Sequence, residues 1–362
     1  MEQQIYFPAE WYPQSAVQLT WPHEKTDWAP MLDAVSPCFV TIAHEIAKRQ
    51  NVLIVCMDEA EVRRQLEGID FNKVIFREIK SNDTWARDHG GITVFINGKP
   101  TVYDFVFNGW GMKYAANYDN LITRTLAKTN AFAEDVEVVN MQPLVLEGGS
   151  LETDGNGTLL TTVECLGSVN RNEFLSMEQL EVHLKELFGL SQILWLGNGY
   201  LSGDDTDSHI DMLARFCDEQ TIAYVQCTNE TDEHFVELKA MEGELKAFRT
   251  LAGKPYRLIP LPMAEPIIHE GKRLPASYAN FLIINNAVLM PFYQSENDDV
   301  ALKKLQKAFP DREIIGIDCR ALITQGGSLH CATMQYPEGI FQLVASMSRQ
   351  GHDIGRNNGK IQ

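Results

Sequence analysis

Polar, chemically reactive loops recur along this chain at a nearly constant interval. Asp88 to Glu147 spans 59 residues, Glu147 to His209 spans 62, and His209 to Cys331 spans 122, or twice 61. Five units account for this spacing if one position, near Glu270, is silent. A mixed α/β unit that repeats and places a polar residue after the same strand closes naturally into a ring, in which the loops meet. Chance spacing in an ordinary α/β protein remains the alternative.

The segments between the loops show a recurring order of helix, strand, polar loop and two short strands. Apolar residues from Phe39 to Ile46 mark one helical face, and Val52–Cys56 is apolar enough for a buried strand. Asn97-Gly98 between two apolar runs predicts a hairpin. Later repeats predict helices over 120–129, 176–188, 232–251 and 298–309. One closed α/β domain over residues 1–347, followed by a polar tail over 348–362 that is compatible with disorder, fits better than two domains.

The net charge limits the classes of partner. The 362 residues carry 31 Lys+Arg against 49 Asp+Glu, a formal net charge of −18, which argues against a nucleic-acid binder and favours a cationic partner. We find neither a signal peptide nor an apolar run of roughly 18 residues, the length that spans a bilayer. We therefore expect a cytoplasmic protein without membrane contact. A homodimer is compatible with the sequence.

Cys331 is the strongest nucleophile candidate. The seven cysteines form no CxxC pair, and an odd number cannot all pair, so neither a disulfide scaffold nor a zinc ribbon is predicted. Cys331 ends the segment Gly326-Gly-Ser-Leu-His-Cys331, whose glycines let the backbone approach a ligand; we expect Gly327 to contact substrate. Cys56 and Cys217 lie in apolar runs, where a thiol packs as a small hydrophobe. For Cys331 alone, inert packing is the alternative.

His209-Ile-Asp211 is the candidate for proton transfer. On a strand, this spacing would place both polar side chains on one face, and an imidazole beside a carboxylate suits acid–base chemistry. A structural network is the alternative. His330 is a rival, but adjacent strand residues face opposite sides. Asp88 and Glu147 add two further carboxylates, a concentration of negative charge that is unfavourable unless a cation enters.

The cation could be a metal ion or a cationic substrate. Asp204, Asp205, Asp207, His209 and Asp211 resemble a ligand cluster. However, they lack the glycine and terminal Glu of a calcium loop and the ligand spacing of zinc sites. A guanidinium group fits better because it is planar, permanently charged and matched to carboxylates. Two carboxylates could hold it while the thiolate attacks its central carbon.

Motifs along nearly the whole chain resemble agmatine deiminases and the bacterial (Porphyromonas-type) peptidyl-arginine deiminases. The match runs in order from Pro8-Ala-Glu-Trp11 to Gln335-Tyr-Pro337. Its other segments are Asn82–Gly90, Phe107–Gly111, Leu146–Ser150, Glu164–Leu166, Asn170–Asn172, Gly203–Asp211, Ala276–Phe281 and Gly326–Cys331. The resemblance implies the pentein fold, a five-bladed, pseudo-symmetric α/β propeller built from ββαβ-type units. This agrees with the ring expected from the spacing.

The resemblance also implies roles for the candidate residues. Cys331 matches the nucleophile, His209 the general acid and base, and Asp88 and Asp211 the carboxylates that bind guanidinium. Glu147 matches the carboxylate that orients the histidine and contacts substrate. The implied reaction passes through a covalent thiouronium intermediate on the cysteine, which water hydrolyses to a ureido product, and it needs neither a metal nor an organic cofactor.

We expect agmatine, a guanidino compound with an amine at its far end, to be the substrate. Free arginine carries a carboxylate that would need a basic partner, and the basic residues near the motifs are few: Arg87, Arg171 and Lys113. Trp85 and Trp110 could bracket an aliphatic cation, and Asp205 could meet its amine. Core packing is the alternative for both tryptophans.

Two other functions remain open. Peptidyl-arginine deiminase activity, on arginine in peptides or proteins, is the alternative within the same enzyme class. A non-catalytic module that binds small cations is the alternative from another class, although such a module has no need for Cys331.

Overall fold

The structure, a computed structural model, describes residues 3–341. The tail predicted over 348–362 therefore lies outside the described residues, as do residues 342–347. The described part contains strands and helices in alternation, which makes the fold α/β as predicted. Within it, no helix is both long and apolar enough to cross a membrane.

Short strands make up most of the regular structure. In chain order they are β1 Ile5–Tyr6, β2 Gln14–Thr20, β3 Asn51–Cys56, β4 Val74–Glu78, β5 Ile92–Ile96, β6 Lys99–Val106, β7 Glu137–Val145, β8 Glu152–Thr153, β9 Thr158–Thr162, β10 Gln192–Leu196, β11 Ala214–Asp218, β12 Thr221–Gln226, β13 Arg257–Pro262, β14 Ile268–His269, β15 Lys272–Arg273, β16 Leu282–Ile284, β17 Ala287–Phe292, β18 Glu313–Asp318 and β19 Thr333–Pro337.

The helices connect strands, and some of them begin at a polar side chain that caps the first turn. They span Leu32–Ala47, Glu59–Gln65, Ala86–His89, Ile122–Lys128, Val163–Leu166, Val169–Asn172, Met177–Phe188, Phe235–Ala247 and Asp298–Ala308. The helix Met177–Phe188 shows the signals most clearly. Ser176 and Gln179 form a capping box at its start, and Gly189 adopts a left-handed conformation at its end. The helix predicted over 232–251 is shorter, at Phe235–Ala247.

One unit recurs in the sheets: an antiparallel strand pair, a helix, and a third strand that pairs in parallel with the second. It forms β5-β6-β7, with β1 at the edge, then β8-β9-β10, β11-β12-β13 and β16-β17-β18. A further sheet, β19-β2-β3-β4, begins with the antiparallel pair β19 and β2 and continues with parallel strands. Because Thr333 pairs with Leu19, this sheet joins the two ends of the described chain.

The reactive loops follow the last parallel strand of each sheet. Asp88 comes after β4, Glu147 after β7, His209 after β10 and Cys331 after β18. The position near Glu270 follows β13 and carries the small hairpin β14-β15. Loops at the carboxyl ends of parallel strands commonly form ligand sites in α/β proteins, and here they lie together.

Candidate active site

A cavity of about 520 Å³ lies where these loops meet. Six of the nine predicted site residues line it: Trp85, Asp88, Trp110, Asp205, Gly327 and Cys331. The other three, Glu147, His209 and Asp211, lie behind this lining and are buried. His209 Nδ1 is 3.5 Å from Asp88 Oδ1, and Asp211 Oδ2 is 3.6 Å from Cys331 Sγ. The structure thus brings all five catalytic candidates together.

Cys331 presents a buried thiol at the cavity wall. The amide Nδ2 of Asn280 donates to its Sγ at 3.3 Å, and the Arg87 backbone N–H donates to the Cys331 carbonyl oxygen at 3.1 Å. Burial raises the pKa of the Cys331 thiol well above its usual value, and Asp211 and Asp88 raise it further. The thiol is therefore protonated at neutral pH. Sequence reasoning matched the segment that contains Asn280 but did not single the residue out.

Asp88 is held from two sides. The short helix Ala86–His89 carries it, the Gly149 N–H donates to its Oδ1 at 3.0 Å, and the Trp110 indole N–H donates to its Oδ2 at 2.9 Å. Burial raises the pKa of Asp88 to about 6, with His209 lowering it and Asp211 raising it. Asp88 is therefore a carboxylate at neutral pH, but only by a small margin.

His209 lies between two carboxylates. Its Nε2 is 3.3 Å from Glu147 Oε2, and its Nδ1 faces Asp88. Burial alone would lower the pKa of His209, but the Asp88 charge and the hydrogen bond with Glu147 raise it well above its usual value. Burial would likewise raise the pKa of Glu147, but His209 and Arg171 hold it below its usual value. The pair therefore consists of an imidazolium and a carboxylate, an arrangement that can release a proton into the site.

Glu147, Cys165 and His209 also have the composition of a metal site. Their donor atoms all lie within 4.8 Å of one another. However, Arg171 Nε contacts both oxygens of Glu147, at 2.8 and 3.1 Å, and so places a positive charge beside the position of an ion. The donor set therefore fits an ion-pair network better than a metal centre.

The acidic loop that resembles a ligand cluster is largely occupied by its own hydrogen bonds. Asp204 accepts from Thr206 and Ser208, and Asp207 pairs with Lys113 and Arg171, each at 2.6 Å. These contacts fold the loop and leave few carboxylate oxygens for an ion.

The backbone conformation that places Asp211 in the site differs from the strand that the sequence suggested. His209 and Asp211 do not lie on a strand, because Asp211 sits in the 3₁₀ turn Ile210–Met212, which follows left-handed conformations at Asp207 and Ser208. The argument from strand alternation was therefore wrong, although both residues reach the site. Asp211 Oδ2 is 2.8 Å from His330 Nδ1, whereas Oδ1 has no hydrogen-bond partner among residues 3–341.

Both tryptophans are buried, yet both line the cavity. Trp110 sits in a left-handed turn, Gly109–Met112, at φ 55° and ψ 50°, which is costly for a bulky residue and directs its indole N–H at Asp88. Trp85 packs over Gly327, where a Cβ atom would lie 2.4 Å from the indole ring. Gly327 thus makes room for Trp85 in the cavity wall.

The lining of the cavity carries both acidic and basic side chains. Asp27, Asp83 and Asp205 line the cavity, and the Tyr114 hydroxyl donates to Asp205 Oδ2 at 2.6 Å. The position near Glu270, which the sequence left without a site residue, does contribute to the cavity. Its hairpin β14-β15 adds Lys272 and Arg273 to the wall, together with Leu274. Sequence reasoning missed these two cations because no polar motif marks them.

The comparisons with known proteins agree over nearly the whole chain. The family model described as Porphyromonas-type peptidyl-arginine deiminase matches residues 6–337. A Vibrio parahaemolyticus protein, provisionally named an agmatine deiminase, is 35% identical over 357 residues, which cover 92% of this chain and 97% of that protein.

Solved structures give the same result. A Porphyromonas gingivalis protein provisionally described as an arginine deiminase is 55% identical with a TM-score of 0.91, covering 94% of this chain and all of that one. A Campylobacter jejuni agmatine deiminase variant, solved with substrate bound, is 39% identical with a TM-score of 0.87, covering 94% and 98%. These matches identify a guanidine-modifying hydrolase. Over nearly its whole length, then, the chain belongs to the Porphyromonas-type peptidyl-arginine deiminase family.

Proposed function

We propose that this protein is an agmatine deiminase, which converts agmatine and water to N-carbamoylputrescine and ammonia and so serves putrescine biosynthesis. The observation that carries the proposal is the placement of two carboxylates, Asp88 and Asp211, close enough to Cys331 to raise the pKa of its thiol, at the wall of an acidic cavity. The closely similar Campylobacter jejuni protein, an agmatine deiminase by name, supports the choice of substrate.

The guanidinium group of the substrate fits between Asp88 and Asp211. Asp211 Oδ1 is buried and has no partner among the described residues, so a guanidinium N–H would satisfy it. Asp88 is an anion near its titration point, and a neighbouring cation would keep it ionised. The same cation would lower the pKa of the Cys331 thiol, which the two carboxylates raise. Substrate binding therefore promotes formation of the thiolate.

The reaction then proceeds in two stages. The Cys331 thiolate, whose proton leaves to solvent, forms a C–S bond to the guanidinium carbon. His209 gives its proton to one terminal nitrogen, and the C–N bond breaks to release ammonia and leave a thiouronium. Neutral His209 next takes a proton from water, whose oxygen bonds to the same carbon. The C–S bond breaks and the remaining hydroxyl proton leaves to solvent, which releases the neutral ureido product and the thiolate. Glu147 orients His209 through its 3.3 Å contact with Nε2.

The charge of the cavity lining supports agmatine over free arginine. Asp27, Asp83 and Asp205 line the cavity and favour the distal amine of agmatine. Of the two cations in the described lining, Arg273 is engaged at 2.9 Å by Asp232, which leaves Lys272 alone against these carboxylates. Trp85 and Trp110 contribute apolar walls for the aliphatic chain.

The proposal extends to the architecture. Four sheets repeat the ββαβ unit along the chain, and a fifth joins the two ends of the described chain through β19 and β2. These features support a five-bladed propeller, formed as a single domain over residues 1–347, with the site at its centre. Small-angle scattering that indicates two separated bodies would contradict it.

Ammonia release by the purified protein, without added metal, tests the function. Agmatine, free arginine and a blocked arginyl peptide are compared in parallel, with Cys331→Ala as control. We expect release mainly from agmatine and none from the variant. Faster release from free arginine would contradict the assignment, and agmatine binding without release by the wild type would identify a binding module.

Peptidyl-arginine deiminase activity is the second candidate, and Lys272 is the observation that favours it. Lys272 lines the cavity and makes no ion pair with any residue between 3 and 341, so it could donate to a peptide carbonyl oxygen. A Lys272→Ala variant separates the two substrates. It should slow turnover of an arginyl peptide and leave agmatine turnover unchanged if the peptide is the substrate.

A further inference from the structure

A group of buried charged side chains lies beside the catalytic candidates. We call it the Glu10 cluster, and its members are Glu10, Arg87, Glu152, Asp211, Arg215 and His330. None of these six lines the 520 Å³ cavity. The reaction outlined above uses only Asp211 among them, so the other five charges need an explanation, because buried charges are costly unless they are paired.

Glu10 connects segments that carry different parts of the site. Its Oε2 lies 2.6 Å from His330 Nε2, 3.0 Å from Arg215 Nη2 and 3.5 Å from Arg87 Nη2. Its Oε1 accepts from the Ile283 backbone N–H at 2.7 Å. Arg87 adjoins Asp88, and His330 adjoins Cys331. One carboxylate before β2 thus connects the loops of the nucleophile and of a guanidinium-binding aspartate.

The geometry fixes the charge of His330. Its two ring nitrogens face carboxylate oxygens, Glu10 Oε2 at 2.6 Å and Asp211 Oδ2 at 2.8 Å. Burial would raise the pKa values of Glu10 and Asp211, but the cationic neighbours of each acid, which include Arg215 for both, hold them below their usual values, so both acids are ionised. A neutral imidazole has only one N–H. Two contacts of this length with two carboxylates therefore require an imidazolium.

Protonated His330 determines how Asp211 can act. It engages Oδ2 and leaves Oδ1 as the oxygen without a partner among the described residues. The backbone of His330 is fixed as well, because its N–H donates to Asn280 Oδ1 at 2.8 Å and its carbonyl oxygen accepts from Arg87 Nε at 3.5 Å. The orientation of Asp211 thus depends on a hydrogen bond from a histidine whose charge depends on Glu10.

We propose that Glu10 and His330 are positioning residues of the active site. Glu10 keeps His330 protonated, and protonated His330 holds Asp211 in the orientation that binds the guanidinium group. The second half of this inference rests on the proposed function, whereas the first half concerns only the charge of His330. The charged groups that face the histidine are Glu10 and Asp211 directly, and Arg87 and Arg215 through Glu10.

Nitrogen NMR of the full chain labelled with ¹⁵N-histidine tests the first half. The ring signals that are present in the wild-type spectrum and absent from the spectrum of His330→Gln belong to His330. We expect an imidazolium, with two ring N–H groups, in the wild type and a neutral ring in Glu10→Gln. Glu152→Gln is the matched control, because Glu152 is equally buried and pairs with Arg215 at 2.6 Å but does not contact His330. It should retain the imidazolium.

Calorimetric binding of agmatine in a Cys331→Ala background tests the second half. Glu10→Gln and His330→Gln should each weaken affinity about 10- to 100-fold, the usual effect of removing a residue that orients a ligand-binding group. Glu152→Gln should change it less than threefold. His330→Gln removes the imidazolium that contacts both Glu10 and Asp211 and serves as the test if Glu10→Gln does not fold.

The outcomes separate the two proposals. A neutral His330 in the wild type, or an unchanged imidazolium in folded Glu10→Gln, overturns the role of Glu10. Equal losses of affinity in Glu10→Gln and Glu152→Gln indicate a merely structural role and overturn it too. If the wild type releases no ammonia from agmatine and the parent variant does not bind it, the proposed function fails, and the NMR result still decides the link between Glu10 and His330.

Discussion

The indole N–H of Trp110 donates a 2.9 Å hydrogen bond to Oδ2 of Asp88 in the wall of the cavity. Replacing Trp110 with Phe keeps an aromatic ring and removes this donor. A hydrogen bond to a charged group contributes about 1.5–3 kcal/mol, so we expect kcat/KM for agmatine to fall at least about tenfold. Steady-state ammonia release measures the effect.

Trp21→Phe is the control for that substitution. Trp21 is also buried, and its indole N–H donates to Gln65 at 3.0 Å, but it does not line the active-site cavity. Its replacement should leave kcat/KM unchanged. Equal losses in the two variants would show that the Trp110 result reflects stability rather than Asp88.

Cys331→Ser should reduce ammonia release by roughly a thousandfold or more, because a hydroxyl is a far weaker nucleophile than a thiolate. Cys217→Ser provides a matched comparison, since that thiol is equally buried but lies on β11, outside the cavity lining. It should retain activity. Substantial turnover by Cys331→Ser would rule out the covalent mechanism proposed here.

The titration of Asp88 predicts how substrate affinity depends on pH. Burial raises the pKa of Asp88 to about 6, so the acid gains a proton, and loses its negative charge, as the pH falls through that value. The affinity of Cys331→Ser for agmatine should therefore be constant above pH 7 and decrease below pH 6, by up to about tenfold per unit. Calorimetry between pH 5 and 8 measures it. Asp88→Asn should bind weakly and without this dependence; an unchanged profile would assign the titration to another group.

Gly149 packs against two catalytic candidates and tolerates no side chain. A Cβ atom there would lie 2.5 Å from His209 Nδ1 and 2.6 Å from Asp88 Oδ1, so Gly149→Ala must displace one of them. Displacement by about 1 Å can cost roughly a hundredfold in rate, and we expect a loss of that order in kcat.

Gly243→Ala is the comparison for Gly149→Ala. Gly243 lies exposed in the helix Phe235–Ala247, and a Cβ atom there would meet no atom within 4 Å. Alanine should raise the free energy of unfolding by about 0.5–1 kcal/mol, because glycine is unfavourable within a helix. Thermal unfolding measures this, and a destabilised Gly243→Ala would contradict the local geometry.

Local signals allowed much of the fold to be predicted from sequence. Asn97 and Gly98 both adopt positive φ, as a tight hairpin turn requires, and they join β5 to β6 where the turn was expected. Ser176 caps the helix that it was expected to begin. The spacing of the reactive loops was equally informative, because each follows the last parallel strand of a sheet.

Features that depend on distant partners could not be predicted. Strand β2 was missed because polar residues interrupt its apolar ones, although all seven of its residues are buried; its polar Gln18 accepts from the hydroxyl of Tyr336 on β19. The role of His330 was missed for the same reason, since nothing near it in sequence indicates a contact with Glu10. Asp207 and Ser208 adopt left-handed backbone conformations, so the strand predicted at His209 does not form.

The pairing of β19 with β2 affects how the protein is made. Cys331 lies two residues before β19, whereas Glu10 lies four residues before β2. The thiol and the carboxylate that contacts its neighbour His330 are therefore synthesised at opposite ends of translation. A polypeptide released before β19 is complete would have an exposed edge on β2, the first strand of its sheet to be made. If translation stops before Cys331, the product also lacks the proposed nucleophile. On the proposed mechanism, catalytic competence therefore arises only once the segment that leads into the last strand of the described chain has been made.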